Sequence, residues 1–214
     1  MSLMMPPYDA PAGLARQALA VQGARGAGLP ALLALTDPAR TPDPEAFAAA
    51  VPGGSAVIYR HFGVPDRLEV AKRLAAICRE RDNWLLVSGD PDLARRAGAD
   101  GVHWPERQIA EAAACRARGD AGIYTAAAHS WRALARASAA GVDAALLSAV
   151  FPSQSPSAGR PLGCWSASAM ARATDLPVYA LGGVNERTAK RLTGLGFSGI
   201  ACVGAIRSAG PTRT

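Results

Sequence analysis

The chain has 214 residues, of which half are hydrophobic and 19% are charged. That composition excludes a wholly disordered protein, and the length allows one large domain or two small ones. No apolar run approaches the ~18 residues that a membrane-spanning helix needs, and the opening MSLMMPPYDAPAG lacks the basic and apolar regions of a secretory signal. We therefore expect a cytoplasmic protein that has no membrane partner.

The charge balance is basic, with a net charge of +6. A basic protein can bind nucleic acid, but of the 23 basic residues only Lys72 and Lys190 are lysine, and no run of five or more basic residues occurs. This pattern is typical of an arginine-rich composition spread over the surface, so a nucleic-acid partner is not expected. The cysteines are too far apart to be paired metal ligands and are predicted to be reduced and buried: Cys78, Cys115, Cys164 and Cys202.

Residues 1–28 are predicted to form an N-terminal extension with one helix, and residues 29–214 one domain in which strands and helices alternate. Near-continuous apolar runs are typical of strands that are buried on both faces. Eight are predicted: Ala31–Thr36, Ala56–His61, Trp84–Ser88, Gly101–Trp104, Gly122–Ala127, Ala144–Ala149, Val178–Leu181 and Gly199–Val203. Helical periodicity and capping residues predict the helices between them: Pro65–Arg81, Asp90–Ala97, Glu106–Arg118, Ser130–Ala140, Ser166–Ala173 and Asn185–Leu195.

Eight strands that alternate with helices fit either a doubly wound sheet or a (β/α)8 barrel. The count of eight favours the barrel. So does a weak repeat of helix end, glycine and strand, seen in AGADGVH (97–103), AGVDAALL (140–147) and LGFSGIACV (195–203). We therefore predict the α/β class and a single (β/α)8 TIM barrel. Because the chain ends soon after the last predicted strand, the final helix is expected to be short or missing, and the N-terminal helix is expected to cover the gap.

The active site of such a barrel is built at the carboxyl ends of the strands. The loops after the seventh and eighth predicted strands both carry glycine, in LGGVN (181–185) and CVGAI (202–206). Backbone N–H groups of these two loops form the common phosphate site of such barrels, since glycine lets an anion approach closely. The long loop FPSQSPSAGRPLG (151–163) adds hydroxyl groups. The predicted phosphate ligands are Gly182, Gly183, Val203, Gly204, Ser153 and Ser155.

Titratable and charged side chains at other strand ends complete the predicted pocket. Arginine can bind an anion through two parallel hydrogen bonds, and imidazole can move a proton near neutral pH. All three histidines fall at predicted strand ends, but their spacing does not match familiar metal sites, so no metal ligand is predicted. The candidate catalytic residues are Arg60, His61 and His129, with Tyr59, His103 and Ser88 as further pocket residues.

From about Leu29 to Ile206 the chain resembles the thiamine phosphate synthase and TenI family of (β/α)8 barrels. The resemblance rests on the order and spacing of LLALTD (32–37), IYRHF (58–62), LLVSGDPDLARRAGADGVHW (85–104), AAAHS (126–130), AVFPSQS (149–155), PVYALGGV (177–184) and GIACVGAI (199–206). A synthase of this family joins a pyrimidine pyrophosphate to a thiazole phosphate and releases pyrophosphate. The resemblance therefore implies a small phosphorylated thiazole, and for a synthase also a pyrimidine, as the ligand. A homo-oligomer is compatible with it.

Several positions depart from the family pattern. The family's Gln-x-Arg-x-Lys after the second strand reads IYRHF (58–62), so only Arg60 remains. Its Asn-Asp after the third strand reads Ser88 and Gly89, and its Gly-Gln-Glu-Asp after the fourth reads PERQ (105–108), so both magnesium carboxylates are missing. Asp90 and Glu106 are the neighbouring carboxylates that could replace them. Further replacements are Ala127 and Gly204 for serines and Pro156 for a lysine. Arg160 could substitute for that lysine.

These departures bear on the reaction, because departing pyrophosphate carries a high negative charge that Mg²⁺ and basic side chains neutralise. The TenI subgroup lacks much of the same machinery and is associated with tautomerisation of a thiazole phosphate carboxylate, with a histidine after strand five moving the proton. His129 stands at that place. We favour a TenI-like enzyme without a cofactor, with His129 as general acid/base and His61 or Glu106 as a second proton carrier. The alternatives are a divergent synthase that uses Mg²⁺ and a non-catalytic phosphate-binding or regulatory protein.

Overall fold

Eight parallel strands close into a barrel in the computed structural model of the chain, which describes residues 8–9, 12–153, 155 and 159–208. The strands are β1 (Tyr8–Asp9), β2 (Leu32–Leu35), β3 (Ala56–Tyr59), β4 (Trp84–Ser88), β5 (Gly101–Trp104), β6 (Ile123–Ala128), β7 (Ala144–Leu147), β8 (Val178–Ala180), β9 (Gly199–Cys202) and β10 (Arg207–Ser208). The barrel runs in chain order from β2 to β9, and β9 pairs with β2 to close it. The short strands β1 and β10 form a separate antiparallel pair.

Helices follow the barrel strands on the outside. They are α1 (Ala12–Val21), α2 (Pro44–Ala50), α3 (Arg67–Glu80), α4 (Pro91–Ala97), α5 (Ile109–Ala117), α6 (Trp131–Ala139), α7 (Cys164–Arg172) and α8 (Glu186–Ala189). Short 3-10 turns lie at Ala24–Gly26, Glu106–Gln108 and Lys190–Leu192. No helix of the described residues is long and apolar enough to cross a membrane.

The predicted (β/α)8 barrel is confirmed, and all eight predicted strands lie within two residues of their predicted bounds. Helix α2 was not predicted, because its seven residues give barely two turns of helical pattern. Asp43 caps that helix by accepting a hydrogen bond from the Ala46 N–H, and Pro44 occupies its first turn. The helix predicted over Asn185–Leu195 is shorter than expected: α8 has four residues and passes into the 3-10 turn.

Side chains alternate along each strand between the barrel interior and the surrounding helices. One buried cluster fills the interior and includes Leu33, Leu35, Ile58, Leu86, Leu146 and Tyr179. The other buried cluster joins the outward faces of the strands to the helices. A shift of one residue therefore decides whether a side chain at the end of a strand reaches the mouth of the barrel.

The N-terminal helix α1 covers the junction between the last and the first barrel strands. It packs against β9, β2 and α8, and its apolar residues Leu14, Ala18 and Val21 are buried there. This placement matches the expectation that α1 would cover the gap left by a short final helix. Beyond β9 the described chain continues to Ser208, and the expectation of a short or missing final helix falls on residues outside the described part. All four cysteines are free and buried.

Gly101 begins β5 where the neighbouring strand leaves no room for a side chain. A Cβ atom there would overlap the main-chain carbonyl of Ile123 in β6, and a backbone atom in a barrel strand cannot move aside cheaply. We expect Gly101→Ala to lower the free energy of unfolding by about 3 kcal/mol, measured by urea unfolding. Gly98→Ala is the control. Gly98 adopts φ 69° but has open space around it, so the substitution should incur only the cost of a left-handed backbone, about 1 kcal/mol. Equal losses would contradict the steric argument.

Candidate functional site

A cavity of about 340 Å³ opens at the carboxyl ends of the barrel strands. A cavity of this size accommodates a small organic ligand. Eight of the residues predicted from the sequence line it: Arg60, Ser88, His103, His129, Ser153, Ser155, Gly182 and Val203. Phe62, Glu106 and Arg107 also line it, although they were not among the predicted ligand-binding residues.

The glycine loops after β8 and β9 carry main-chain N–H groups for which the described residues provide no acceptor. Within the described residues, the N–H groups of Gly182, Gly183 and Gly204 donate no hydrogen bond. Gly182 lines the cavity, whereas Gly183 and Gly204 follow the lining residues Gly182 and Val203 in the chain. The loop after β8 packs on the loop after β7, where Phe151 N–H donates to the Gly182 carbonyl (3.0 Å). Free N–H groups on glycine-bearing loops suit an anion, because they need an acceptor.

Arg60 reaches the cavity from the end of β3 and is held by the loop after β2. Its Nε donates to the Thr36 carbonyl (2.9 Å), and its Nη2 lies 3.5 Å from a carboxylate oxygen of Asp37. Burial lowers the pKa of the Arg60 guanidinium and Asp37 raises it, and an arginine stays charged in proteins. The site therefore holds a positive charge whose position is fixed before any ligand binds.

His103 lies at the inner end of the cavity and is buried. Its Nδ1 is 2.9 Å from Thr125 Oγ1 in β6, and Ser88 on the neighbouring strand is buried beside it. Burial, together with the charge of Arg60, lowers the pKa of His103 to about 3. His103 is therefore neutral over the whole physiological range and serves as a hydrogen-bonding group rather than a proton carrier.

The buried neutral His103 should make the protein less stable in mild acid. Between pH 6.5, the ordinary value, and about pH 3, the unfolded chain binds a proton at this residue that the folded chain does not. The contribution of the neutral His103 ring to stability is therefore fully present above pH 6.5. It is lost as the pH falls below that value, by about 1.4 kcal/mol per pH unit. His103→Asn keeps a group that can bond Thr125. We expect its loss of stability between pH 7.5 and 5.0, measured by urea unfolding, to be about 2 kcal/mol smaller than in the wild type. Equal losses would contradict this assignment.

His129 follows β6 and lies at the rim of the cavity beside Glu106. A single oxygen of Glu106, Oε2, accepts from the His129 main-chain N–H (3.0 Å) and lies 2.7 Å from its Nδ1, while Oε1 accepts from Arg136 (2.7 Å). Burial raises the pKa of Glu106, but the hydrogen bonds from His129 and the charges of His129 and Arg136 outweigh it, so the pKa lies below its usual value. Glu106 is therefore an anion at neutral pH.

Tyr59 and His61 do not reach the cavity, which corrects their predicted placement. Arg60 shares the interior face with Ile58, and the alternation along β3 turns Tyr59 toward the helices, where it belongs to the outer buried cluster. The rings of Tyr59 and His61 contact each other there, with centroids 5.4 Å apart. Burial lowers the pKa of His61 against the opposing charge of Asp37. Three consecutive residues, 59–61, were predicted to share the pocket, although only the middle one can face the mouth.

Asp90 and Glu106, the two carboxylates that could replace the missing magnesium ligands, are both engaged elsewhere. Asp90 caps α4 by accepting from the Leu93 N–H and pairs with Arg67 at 2.9 Å, and Glu106 is bound by His129 and Arg136. Among the described residues no group of three or more His, Cys, Asp or Glu side chains could hold a metal ion. The residues present therefore do not fit a Mg²⁺ site of the kind that the synthase resemblance implies. Pro156, which replaces the family's lysine, lies outside the described residues.

The fold and the cavity define a (β/α)8-barrel protein with a cavity of small-ligand size at the carboxyl end of its strands. Residues 32–206 match the family described as thiamine monophosphate synthase, and the chain belongs to this family. It is 31% identical over 189 residues to a thiamine-phosphate synthase of Marinobacter nauticus, covering 86% of this chain and 85% of that one. A solved thiamine phosphate pyrophosphorylase of Pyrococcus furiosus superposes with a TM-score of 0.71 at 26% identity, covering 81% of this chain and 85% of the other.

A bifunctional relative is similar over part of its length. It is the thiamine biosynthesis bifunctional protein ThiM/ThiE of Symbiobacterium thermophilum, 31% identical over 170 residues, which are 78% of this chain and 35% of the relative. The names of these relatives favour the synthase, which was the alternative drawn from the sequence, over the preferred TenI-like tautomerase. Membership of this family is also compatible with the expectation from the sequence that Mg²⁺ is needed only if the protein is a synthase.

Proposed function

We propose that the cavity binds a thiazole phosphate, with the phosphate on the loops after β8 and β9. The observation that carries this proposal is the set of N–H groups of Gly182, Gly183 and Gly204, which have no acceptor among the described residues. The hydroxyl-bearing residues Ser153 and Ser155 lie on the same cavity. Ligands of this class are what the family's reaction uses, and a binding site of N–H and O–H groups holds a phosphate without a metal.

The first candidate reaction is the condensation of the thiazole phosphate with a pyrimidine pyrophosphate, as the relatives' names suggest. In this chain the positive charge near the reacting groups comes from arginine: Arg60 and Arg107 both line the cavity. They would bind the pyrophosphate and offset the charge that develops as it leaves. The described carboxylates Asp90 and Glu106 are paired with arginine and do not fit a Mg²⁺ site.

The second candidate is proton transfer within the thiazole phosphate, and the position of His129 favours it. Its ring lines the cavity, and within the described residues Nδ1 is bound by Glu106 while Nε2 has no hydrogen-bond partner. A free imidazole nitrogen at the edge of a cavity can take a proton from one ligand atom and return it to another. The reaction needs a phosphate anchor and a proton carrier, and no leaving group has to be neutralised.

One experiment separates the two candidates. The purified protein is incubated with thiazole phosphate to test the condensation and with a thiazole phosphate carboxylate tautomer to test the proton transfer, each with and without the pyrimidine pyrophosphate and Mg²⁺. Thiamine phosphate is measured by chromatography and the two tautomers by NMR. Formation of thiamine phosphate establishes the first candidate, and exchange between tautomers without the pyrimidine establishes the second. Binding of thiazole phosphate by calorimetry with neither reaction would show a non-catalytic binding protein, and no binding would contradict the proposal as a whole.

A further inference from the structure

Glu106 connects two loops and one helix next to the ring of His129. Glu106 begins the 3-10 turn after β5, His129 follows β6, and Arg136 lies on α6. All the polar contacts of the carboxylate within the described residues go to these two partners: Oε2 to the main-chain N–H and Nδ1 of His129, and Oε1 to Arg136. Both oxygens are therefore occupied, and the carboxylate cannot rotate without breaking a hydrogen bond.

From this geometry we infer that Glu106 is a positioning residue that fixes the tautomer and the direction of the His129 ring, with Arg136 holding the carboxylate in place. An ionised carboxylate only accepts hydrogen bonds. Nδ1 must therefore carry a proton in both charge states of the ring, and the lone pair of the neutral ring lies on Nε2. The same oxygen accepts from the main-chain N–H of His129, which fixes the carboxylate relative to that residue, and turning the ring end for end would break the bond to Nδ1.

The arrangement resembles a base oriented by a third group, in which the carboxylate orients an imidazole and does not itself exchange the proton. Here the carboxylate is itself held by a guanidinium, which is the charge-assisted pairing that fixes both partners in direction. Arg136 reaches Glu106 from the second turn of α6. Helix α6 therefore helps to set the position of the His129 ring, which lies just before the helix in the chain. The inference rests on the proton-transfer candidate for its kinetic consequence, but its structural content stands apart from turnover.

Glu106→Gln tests this role with a side chain of nearly the same shape. A glutamine side chain can either accept from or donate to Nδ1, so it no longer specifies which nitrogen carries the proton. We expect ¹⁵N NMR of histidine-labelled protein at pH 8 to show the His129 ring protonated at Nδ1 in the wild type and a mixture of tautomers in the variant. The His129 signals are assigned by their loss in His129→Ala. Tautomer exchange of the thiazole should fall in kcat on the order of 10²-fold, with KM little changed.

Arg136→Gln should cause the same change in the His129 tautomer to a smaller extent. Arg132→Gln on the same helix is the matched control, because Arg132 is exposed and contributes nothing to the Glu106 contacts. Wild-type protonation at Nδ1 that becomes mixed in Glu106→Gln supports the inference even where neither reaction is detected. A wild-type ring protonated at Nε2, or a tautomer unchanged in Glu106→Gln, overturns it even where turnover is found. Its failure is therefore distinct from failure of the proposed function.

Discussion

Replacing His129 with alanine is expected to lower kcat for exchange between the thiazole phosphate tautomers by about 10²- to 10⁴-fold, the usual contribution of a positioned general acid/base. The variant should bind thiazole phosphate about as well as the wild type, because in the proposed site the phosphate contacts come from the loops after β8 and β9 and not from the loop after β6. The measurements are NMR of the tautomers for kcat and calorimetry for the dissociation constant.

Two further observations make this prediction specific for proton transfer. Added imidazole should restore part of the activity of His129→Ala, because it can occupy the space of the missing ring and carry the same proton. Arg132→Ala, in the exposed first turn of α6, should keep the wild-type rate. Full tautomer exchange in His129→Ala would show that the proton moves through another group. If the protein instead makes thiamine phosphate, His129→Ala separates the reactions, since the condensation does not require this base.

The barrel could be predicted from the sequence because its strands are buried on both faces. Segments such as LLAL (32–35) and AALL (144–147) have no alternation, which is typical of a parallel sheet between helices. Glycine after a helix then marks where the chain turns back, as at Gly98, which adopts φ 69°. These signals are local, and they recur along the chain. The short helix α2 was not predicted, because the hydrophobic pattern of a helix does not repeat within its seven residues.

The site could be predicted where the order of the strands and the position of a residue at a strand end are sufficient. The loops after β8 and β9 follow from strand order and glycine, so Gly182 and Val203 were placed correctly on the cavity. The register of β3 cannot be read from IYRHF, because a strand buried on both faces has apolar residues at successive positions, and Tyr59 and His61 were therefore assigned to the wrong face. The bond between Glu106 and His129 joins residues 23 positions apart, and it depends on how two loops meet in three dimensions.

The resemblance to a family identifies the fold and leaves the reaction open. The family is correct, but the reaction depends on side chains that this chain has exchanged. Where a synthase has carboxylates after the third and fourth strands, this chain has Ser88 and Gly89 after the third and PERQ (105–108) after the fourth. The nearby acids Asp90 and Glu106 each bind arginine. A carboxylate paired with arginine has part of its charge neutralised already, which weakens its attraction for a metal ion. The comparison of names and the geometry of the site therefore favour different reactions, which the assay above separates.

Gly182→Ala is expected to weaken phosphate binding by about tenfold or more, which corresponds to about 1.4 kcal/mol. The backbone at Gly182 has φ 91°, and a Cβ atom there would lie 2.7 Å from both Cα and Cβ of Ala149 on the adjacent loop. Since Ala149 also lines the cavity, the loop must move at the point where, in the proposed site, the Gly182 and Gly183 N–H groups bind the phosphate. Calorimetric titration with inorganic phosphate and with thiazole phosphate measures the loss.

The matched control is Gly194→Ala. Gly194 has a similar backbone conformation, φ 74°, but a Cβ atom there would meet no atom within 4 Å, and the residue lies away from the cavity lining. It should therefore incur the conformational cost alone, about 1 kcal/mol of stability, and keep the wild-type affinity for phosphate. If Gly182→Ala folds and binds phosphate as tightly as Gly194→Ala, the phosphate does not lie on the loop after β8. In that case Arg60 is the next anchor to test, because it is a partly buried positive charge on the cavity at the end of β3.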